Sequence, residues 1–181
     1  MNWLDPVIHP ITPWLPERHL SEAVEMNVRP VPNGHWVLIL DWDCYIGLDK
    51  RWYDKCASAI AQVPNAGVIS CMTNRIGSPL QKMAGAPPGR NISDHEEFAQ
   101  SLPDEAILRD VTDIRTAKLS GMFFLIKRDT FDEIPELPRS KFIGLDNWLG
   151  DRIREIGRRL YVITSLYVFH GYRRTWQRPK E

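Results

Sequence analysis

Five consecutive apolar residues, Trp36-Val-Leu-Ile-Leu40, are followed at once by the acidic sequence Asp41-Trp42-Asp43. A continuous apolar run of this length is typical of a strand that is covered on both faces. Two carboxylates that leave a buried strand must be hydrated, paired or bound to a cation, because burying them bare is very costly. The feature therefore predicts a central strand in a helix-covered sheet, with charge concentrated at its carboxyl end.

The rest of the chain alternates segments of strand and helix character. The predicted strands are Val7–Trp14, Gly67–Thr73, Met122–Ile126, Leu160–Ile163 and Leu166–Phe169. The predicted helices are Glu17–Asn27, Arg51–Val63, Ser93–Gln100 with a Ser93–Glu96 capping box, and Leu145–Ile156. Residues 76–92 are rich in Gly and Pro and predict a long loop. This alternation predicts an α/β sandwich with a mostly parallel central sheet flanked by helices.

Composition limits the classes of partner. The 181 residues are 43% hydrophobic and 25% charged, which is enough apolar material for one folded domain. Twenty-three basic and 23 acidic residues give a formal net charge of +0, which argues against binding nucleic acid or anionic lipid through bulk charge. The segment 173–181, with Arg173, Arg174, Arg178 and Lys180, is predicted to be a basic C-terminal tail.

Cysteine usage and apolar run length predict the compartment. The three cysteines, Cys44, Cys56 and Cys71, lack metal-type spacing, and an odd number cannot all pair within one chain. No apolar run reaches about 18 residues, and no basic-then-apolar signal pattern is present at the N-terminus. We therefore expect a soluble, cytoplasmic protein without a membrane span, in a reducing compartment.

Strand and helix ends supply further candidate side chains, each with a plainer alternative. Asp146 falls in the first turn of its helix after Gly144. It is either a general base or an ordinary residue at the start of a helix. His170 lies at the end of the last predicted strand. It is either a ligand of a cation or a structural histidine whose hydrogen bonds are satisfied within the fold. Arg75 follows the strand Gly67–Thr73. Its side chain either contacts a diphosphate or caps a loop. Trp148, like Trp42, either stacks on a ligand or packs in the core.

These segments, in this order, carry a resemblance over about residues 34–172. Trp36–Asp43 resembles the strand and D-x-D motif of GT-A-fold glycosyltransferases, particularly those of the family 2 type. Leu119–Phe131 is similar to their segment of small residues, apolar strand and basic residue before a short helix. Gly144–Gly157 is similar to their Gly-Glu-Asp helix, and Leu160–His170 resembles their closing strands that deliver a histidine. The resemblance implies a single minimal GT-A-like (Rossmann-like) domain over residues 1–172.

The resemblance also implies roles for individual residues. The metal ligands would be Asp43, His170 and Asp41, with Asp41 contacting either the metal or the nucleotide ribose, and the ion would be Mn²⁺ or Mg²⁺. Asp146 would deprotonate the acceptor hydroxyl in an inverting transfer. The remaining implied positions bind the nucleotide sugar (Thr12, Pro13, Asp41, Trp42, Arg75) or the acceptor (Gly121, Trp148).

The implied partners are a nucleotide sugar, with a UDP-sugar expected first, and an acceptor that the sequence leaves open between a glycan, a protein and modified DNA. The chain departs from the family pattern at two points. Only 40 residues precede Asp41, so the nucleotide-binding half is shortened, and a homo-oligomer in which another subunit supplies part of base recognition stays open. Leu145 also stands where the family has Glu, which leaves Asp146 as the one carboxylate of that pair.

Two other classes of function remain open from the sequence. A non-catalytic GT-A-like module would bind a nucleotide, a sugar or a partner, and the short N-terminal half favours it. A different metal-dependent nucleotidyl or phosphoryl enzyme would use the same pair of aspartates.

Overall fold

A computed structural model of the protein describes residues 6–13, 20–138 and 144–171. The helices are α1 (Leu20–Val28), α2 (Trp52–Gln62), α3 (Ile92–Ser101), α4 (Thr130–Glu133) and α5 (Leu145–Glu155). The strands are β1 (Ile8–Ile11), β2 (Trp36–Leu40), β3 (Cys44–Tyr45), β4 (Ala66–Thr73), β5 (Leu108–Asp110), β6 (Phe123–Lys127) and β7 (Arg159–His170). None of the described helices is long and apolar enough to cross a membrane.

Most predicted elements are present with shifted ends. β2 has the predicted bounds, whereas the two strands predicted between 160 and 169 are one strand, β7. The cap of α3 was predicted wrongly, since the residue that caps it is Asn91, whose side chain accepts a hydrogen bond from the amide of Ser93. β3 and β5 have no counterpart in the prediction. The predicted tail 173–181 and the predicted helix start at Glu17 lie outside the described residues.

The described residues form an α/β fold, with a seven-stranded mixed sheet flanked by helices. The strand order is β1-β2-β6-β4-β7-β3, and β5 pairs with β7. The prediction of a mostly parallel sheet is wrong, because only β1–β2 and β4–β7 pair in parallel among the six strand pairings of the described residues. An irregular segment, residues 111–122, leads into β6 in place of a crossover helix, so β6 runs opposite to its neighbours.

The directions of the strands gather several chain segments at one edge of the sheet. β1, β2, β4 and β7 run in one direction, since β6 is antiparallel to both β2 and β4. Their carboxyl ends therefore share an edge, and β6 begins at that same edge. In open α/β sheets, ligands collect outside the carboxyl ends of strands. We call this side of the molecule the carboxyl edge.

Helices cover both faces of the sheet. Side chains of α1 and α5 pack with Val37 and Ile39 of β2 in the larger apolar cluster. Side chains of α2 pack with the opposite face of the same strand, including Leu38. The α5 helix approaches β4 so closely that a Cβ atom at Gly67 would overlap the side chain of Ile153. This contact holds the C-terminal half of α5, seven residues after Asp146, against the beginning of β4.

A buried ion pair anchors α2 to β7. Nζ of Lys55 donates to Oδ2 of Asp49 at 2.6 Å and to the carbonyl oxygen of Ser165 at 2.7 Å, and both charged side chains are fully buried. The second carboxylate oxygen of Asp49 accepts a hydrogen bond from the amide of Arg51, next to the start of α2. The pair therefore ties the segment after β3 to the strand that ends in His170.

Candidate functional site

The acidic motif crosses the carboxyl edge from β2 to β7. The amide of Asp41 donates to the carbonyl of Met122 at 3.1 Å, which continues the pairing of β2 with β6. Two residues later the chain joins β7, where Cys44 lies directly opposite His170 and the amide of Gly171 donates to the carbonyl of Asp43 at 2.9 Å. The short strand β3 therefore brings the end of the motif to the histidine at the end of the sheet's longest strand.

Asp43 and His170 are in contact. Oδ1 of Asp43 lies 3.2 Å from Nε2 of His170, and the side chains are only 12% and 7% exposed. The other ring nitrogen, Nδ1, lies 3.0 Å from the carbonyl oxygen of Arg75, which can only accept, so Nδ1 carries a proton. Two arrangements are then open at Nε2. In an imidazolium, Nε2 carries a proton and donates it to the carboxylate of Asp43. In a neutral ring, Nε2 presents a lone pair, and a cation bound to both Nε2 and Oδ1 is needed to hold the two atoms together.

The end of β4 holds His170 in place. The amide of His170 donates to Oδ1 of Asn74 at 2.9 Å, and Nδ2 of Asn74 donates back to the carbonyl of His170 at 3.4 Å. Arg75 accepts the hydrogen bond of the ring through its backbone carbonyl, and the residue is otherwise exposed. Two consecutive residues after β4 therefore fix both the backbone and the ring of the histidine.

Cys44 adds a third donor to this pair. One ligand atom each from Asp43, Cys44 and His170 lie within 4.8 Å of one another. Burial raises the pKa of the Cys44 thiol, and the carboxylates of Asp41 and Asp43 raise it further. Its Sγ lies 3.9 Å from Sδ of Met122. The group is a compact set of oxygen, sulfur and nitrogen donors that a metal ion could share.

Asp41 stands beside this group but outside it. Asp41 is exposed to solvent, but partial loss of hydration around its carboxyl still disfavours the charged form and raises the pKa of Asp41. The charge of His170 opposes this effect, whereas Asp43 and Asp146 add to it. The pKa of Asp41 is therefore sensitive to the charges of all three side chains.

Asp146 lies in the first turn of α5, as predicted, and is held from two sides. Its Oδ1 accepts from the amide of Asn147 at 2.8 Å, and its Oδ2 accepts from the amide of Gly121 at 3.2 Å. Gly144 precedes the helix with φ of +100°, a conformation that favours glycine. A Cβ atom at Gly121 would lie 3.2 Å from Cβ of Asp146, so glycine permits this approach between the start of β6 and α5.

A cleft of about 430 Å³ opens beside Asp146. Its walls are residues 77–79 of the loop after β4, residues 116–120 before β6, and Asp146 with Asn147. Oγ of Ser78 is buried there without a hydrogen-bond partner among the described residues. Lys118, at the rim, pairs with Asp151 at 2.8 Å. The cleft is large enough for a small polar group and gives it access to the Asp146 carboxylate.

A buried glutamine fixes one wall of this cleft. Nε2 of Gln81 donates to the Ser120 carbonyl at 3.0 Å and to Oγ of Ser70 at 2.7 Å, while its Oε1 accepts from the Ser120 amide at 2.7 Å. The side chain is completely buried. Because Ser120 precedes Gly121, the glutamine positions the amide that donates to Asp146.

The other predicted binding residues have mixed positions. Thr12 and Pro13 follow β1 at the carboxyl edge, and Trp42 is 61% exposed there. Trp148 instead is half-buried against the larger apolar cluster, with the guanidinium of Arg152 5.6 Å from its ring centroid. Trp148 is not among the cleft-lining residues.

Sequence reasoning missed Cys44 and Gln81. Cys44 directly follows the acidic motif, and this adjacency was the available signal, but cysteine spacing alone gave no metal pattern. Gln81 lies in a loop without periodicity, so nothing in the sequence indicates that its amide is buried.

No protein-family model matches the chain, and no curated protein is significantly similar to it in sequence.

Proposed function

We propose that the chain is a metal-dependent glycosyltransferase with a GT-A-like fold, which moves a sugar from a nucleoside diphosphate to an acceptor hydroxyl. One observation carries the proposal. The contacting pair Asp43 and His170 lies at the carboxyl edge with Asp41, and adjacent residues connect Asp41 to Asp146, since the carbonyl of Met122 accepts from the amide of Asp41 and the amide of Gly121 donates to Asp146. Sugar transfer needs these two functions, a site for a charged leaving group and a base for the acceptor, next to each other.

The cation site would be formed by Asp43 and His170, with Asp41 facing the ion or the ribose. An imidazole nitrogen beside carboxylate oxygens suits Mn²⁺ better than Mg²⁺, which prefers oxygen alone. The proton on Nδ1, directed at the Arg75 carbonyl, leaves Nε2 for the ion. When bound, the ion would neutralise negative charge on the departing diphosphate.

The proposed base is Asp146. Backbone amides of Gly121 and Asn147 each hold one carboxylate oxygen, which sets the orientation of the group toward the cleft. In the proposed inverting transfer, the carboxylate takes the proton of the acceptor hydroxyl while the acceptor oxygen attacks the anomeric carbon and the diphosphate leaves from the opposite face. The acceptor would enter through the cleft between residues 77–79 and 116–120.

The donor would bind along the carboxyl edge between β1 and β4. The exposed Trp42 ring offers a stacking surface for a base or a sugar, and the exposed Arg75 side chain offers a cation for the diphosphate. Thr12 and Pro13, after the first strand, are the proposed contacts to the nucleotide. A UDP-sugar is the donor that we would test first.

The experiment measures hydrolysis of a panel of UDP-sugars with Mn²⁺, with and without a chelator, for the wild type and for Asp43→Ala and Asp146→Asn. Asp132→Asn is the matched control, because Asp132 is an exposed carboxylate in α4, after the opposite end of β6. We expect both site variants to lose at least about tenfold of turnover and the control to keep it. Nucleotide binding without turnover would instead favour a binding module, and turnover confined to nucleoside triphosphates would favour a nucleotidyl or phosphoryl enzyme.

A further inference from the structure

We infer that Cys44 is a third ligand of the ion held by Asp43 and His170, so that the site takes a zinc-class ion through oxygen, nitrogen and sulfur. The inference rests on the proposed cation site, whose ion class it specifies, and it does not depend on sugar transfer. It assigns a role to a residue that the acidic motif does not include.

The strand register places Cys44 beside His170. Cys44 lies directly opposite His170 in the antiparallel pairing of β3 with β7, so both side chains emerge on the same face of this ribbon. With Asp43, their ligand atoms already lie within 4.8 Å of one another. Ligand atoms around a tetrahedral zinc ion are separated by about 3.5 Å, as zinc–ligand distances of about 2.0–2.3 Å require. Small rotations of the side chains would therefore close the site.

The contacts of both ring nitrogens fix the orientation of His170. Its Nδ1–H group is directed at a backbone carbonyl, the outer contact that metal-binding histidines commonly make, so Nε2 faces Asp43. Two observations support His170 as a ligand, namely the short Nε2–Oδ1 separation and the fixed tautomer. Neither of them involves the cysteine. The site thus has two ligands positioned independently of the third.

The chemistry of sulfur decides the class of ion. Thiolate ligands favour Zn²⁺ and similar ions, whereas Mg²⁺ is bound by oxygen. On binding, a bond forms between the ion and Sγ of Cys44, and the thiol proton passes to solvent without any change of oxidation state. Three protein ligands leave a fourth position for water or a substrate oxygen, as in zinc sites that carry out catalysis.

The test uses Co²⁺ as a spectroscopic probe of the metal-stripped full chain. We expect a thiolate-to-cobalt charge-transfer band in the near ultraviolet that saturates at one equivalent. Cys44→Ser should abolish the band and lower Zn²⁺ affinity at least about tenfold, while changing Mn²⁺ affinity less than about threefold. Cys56→Ala is the control, because Cys56 is a completely buried cysteine of α2 that is not one of the three grouped ligand residues.

A measurement on the wild type covers the case in which a variant fails to fold. Cys56 and Cys71 are completely buried, so Cys44 is the thiol expected to react with a thiol reagent in the native protein. Zn²⁺ should protect it from the reagent, and Mg²⁺ should not. Cobalt binding without a charge-transfer band, or an unchanged reaction rate with Zn²⁺, would overturn the inference. Sugar-transfer assays do not enter these outcomes, so a band in a protein without turnover would refute the proposed function alone.

Discussion

Replacing Gln81 by Leu tests whether the buried amide holds the wall of the cleft. The two side chains are similar in size, but leucine can neither donate to nor accept from the peptide groups of Ser120. Three hydrogen bonds of 2.7–3.0 Å are lost together. Ser70 keeps its own hydrogen bond to the carbonyl of Phe123, so most of the loss falls on the amide and carbonyl of Ser120.

The expected loss of stability follows from the amide and carbonyl groups of Ser120. A buried backbone donor or acceptor without a partner costs about 1–3 kcal/mol, and Ser120 is half-buried, so water reduces the cost at that position. Added burial of the leucine side chain offsets part of the remainder. We expect Gln81→Leu to lower the free energy of unfolding by about 2–4 kcal/mol.

The assay is urea denaturation, with the midpoint and the slope fitted separately. Gln100→Leu is the matched control, because Gln100 is an exposed glutamine of α3 whose side chain bonds only to Glu96 among the described residues, and its change should stay within about 0.5 kcal/mol. A loss below about 1 kcal/mol for Gln81→Leu, at an unchanged slope, would refute the claim that this amide holds the wall.

Three further outcomes are expected. Gly121→Ala should crowd the proposed base and lower turnover at least about tenfold, with a smaller effect on the urea midpoint. Lys55→Met should cost about 3–5 kcal/mol in urea denaturation, and adding Asp49→Asn should recover part of it, since the single variant leaves the buried Asp49 carboxylate with Arg51, 3.6 Å away, as its remaining charged partner among the described residues. Hydrogen bonds from Arg158 lower the pKa of the exposed Glu133, so the stability that Glu133→Gln removes should be constant above about pH 5 and shrink as pH falls through the lowered pKa.

The central strand and its acidic end were predictable because burial on both faces leaves a continuous apolar run, as in Trp36–Leu40. The direction of β6 was not predictable by the same signal. A fully buried strand such as Phe123–Lys127 has the same apolar pattern whether its neighbours run with it or against it, and direction depends on the connection.

Proximity between distant residues was only partly predictable. The positions of Asp43 and His170 at strand ends indicated one edge of the sheet, but their contact depends on β3, a two-residue strand too short to have a periodic pattern. The role of Gln81 depends on a backbone two loops away, which sequence spacing cannot encode. The local pattern therefore predicts which side chains leave strands, while the pairing of strands decides which of them meet.

The proposed function requires a single ion at the carboxyl edge, and anomalous diffraction from a crystal soaked with Mn²⁺ and UDP tests for it directly. We predict one anomalous peak between the side chains of Asp43 and His170, with the diphosphate on the ion and Asp146 facing the same space. A peak elsewhere, or an ion at this position with UDP bound at another surface, would contradict the account.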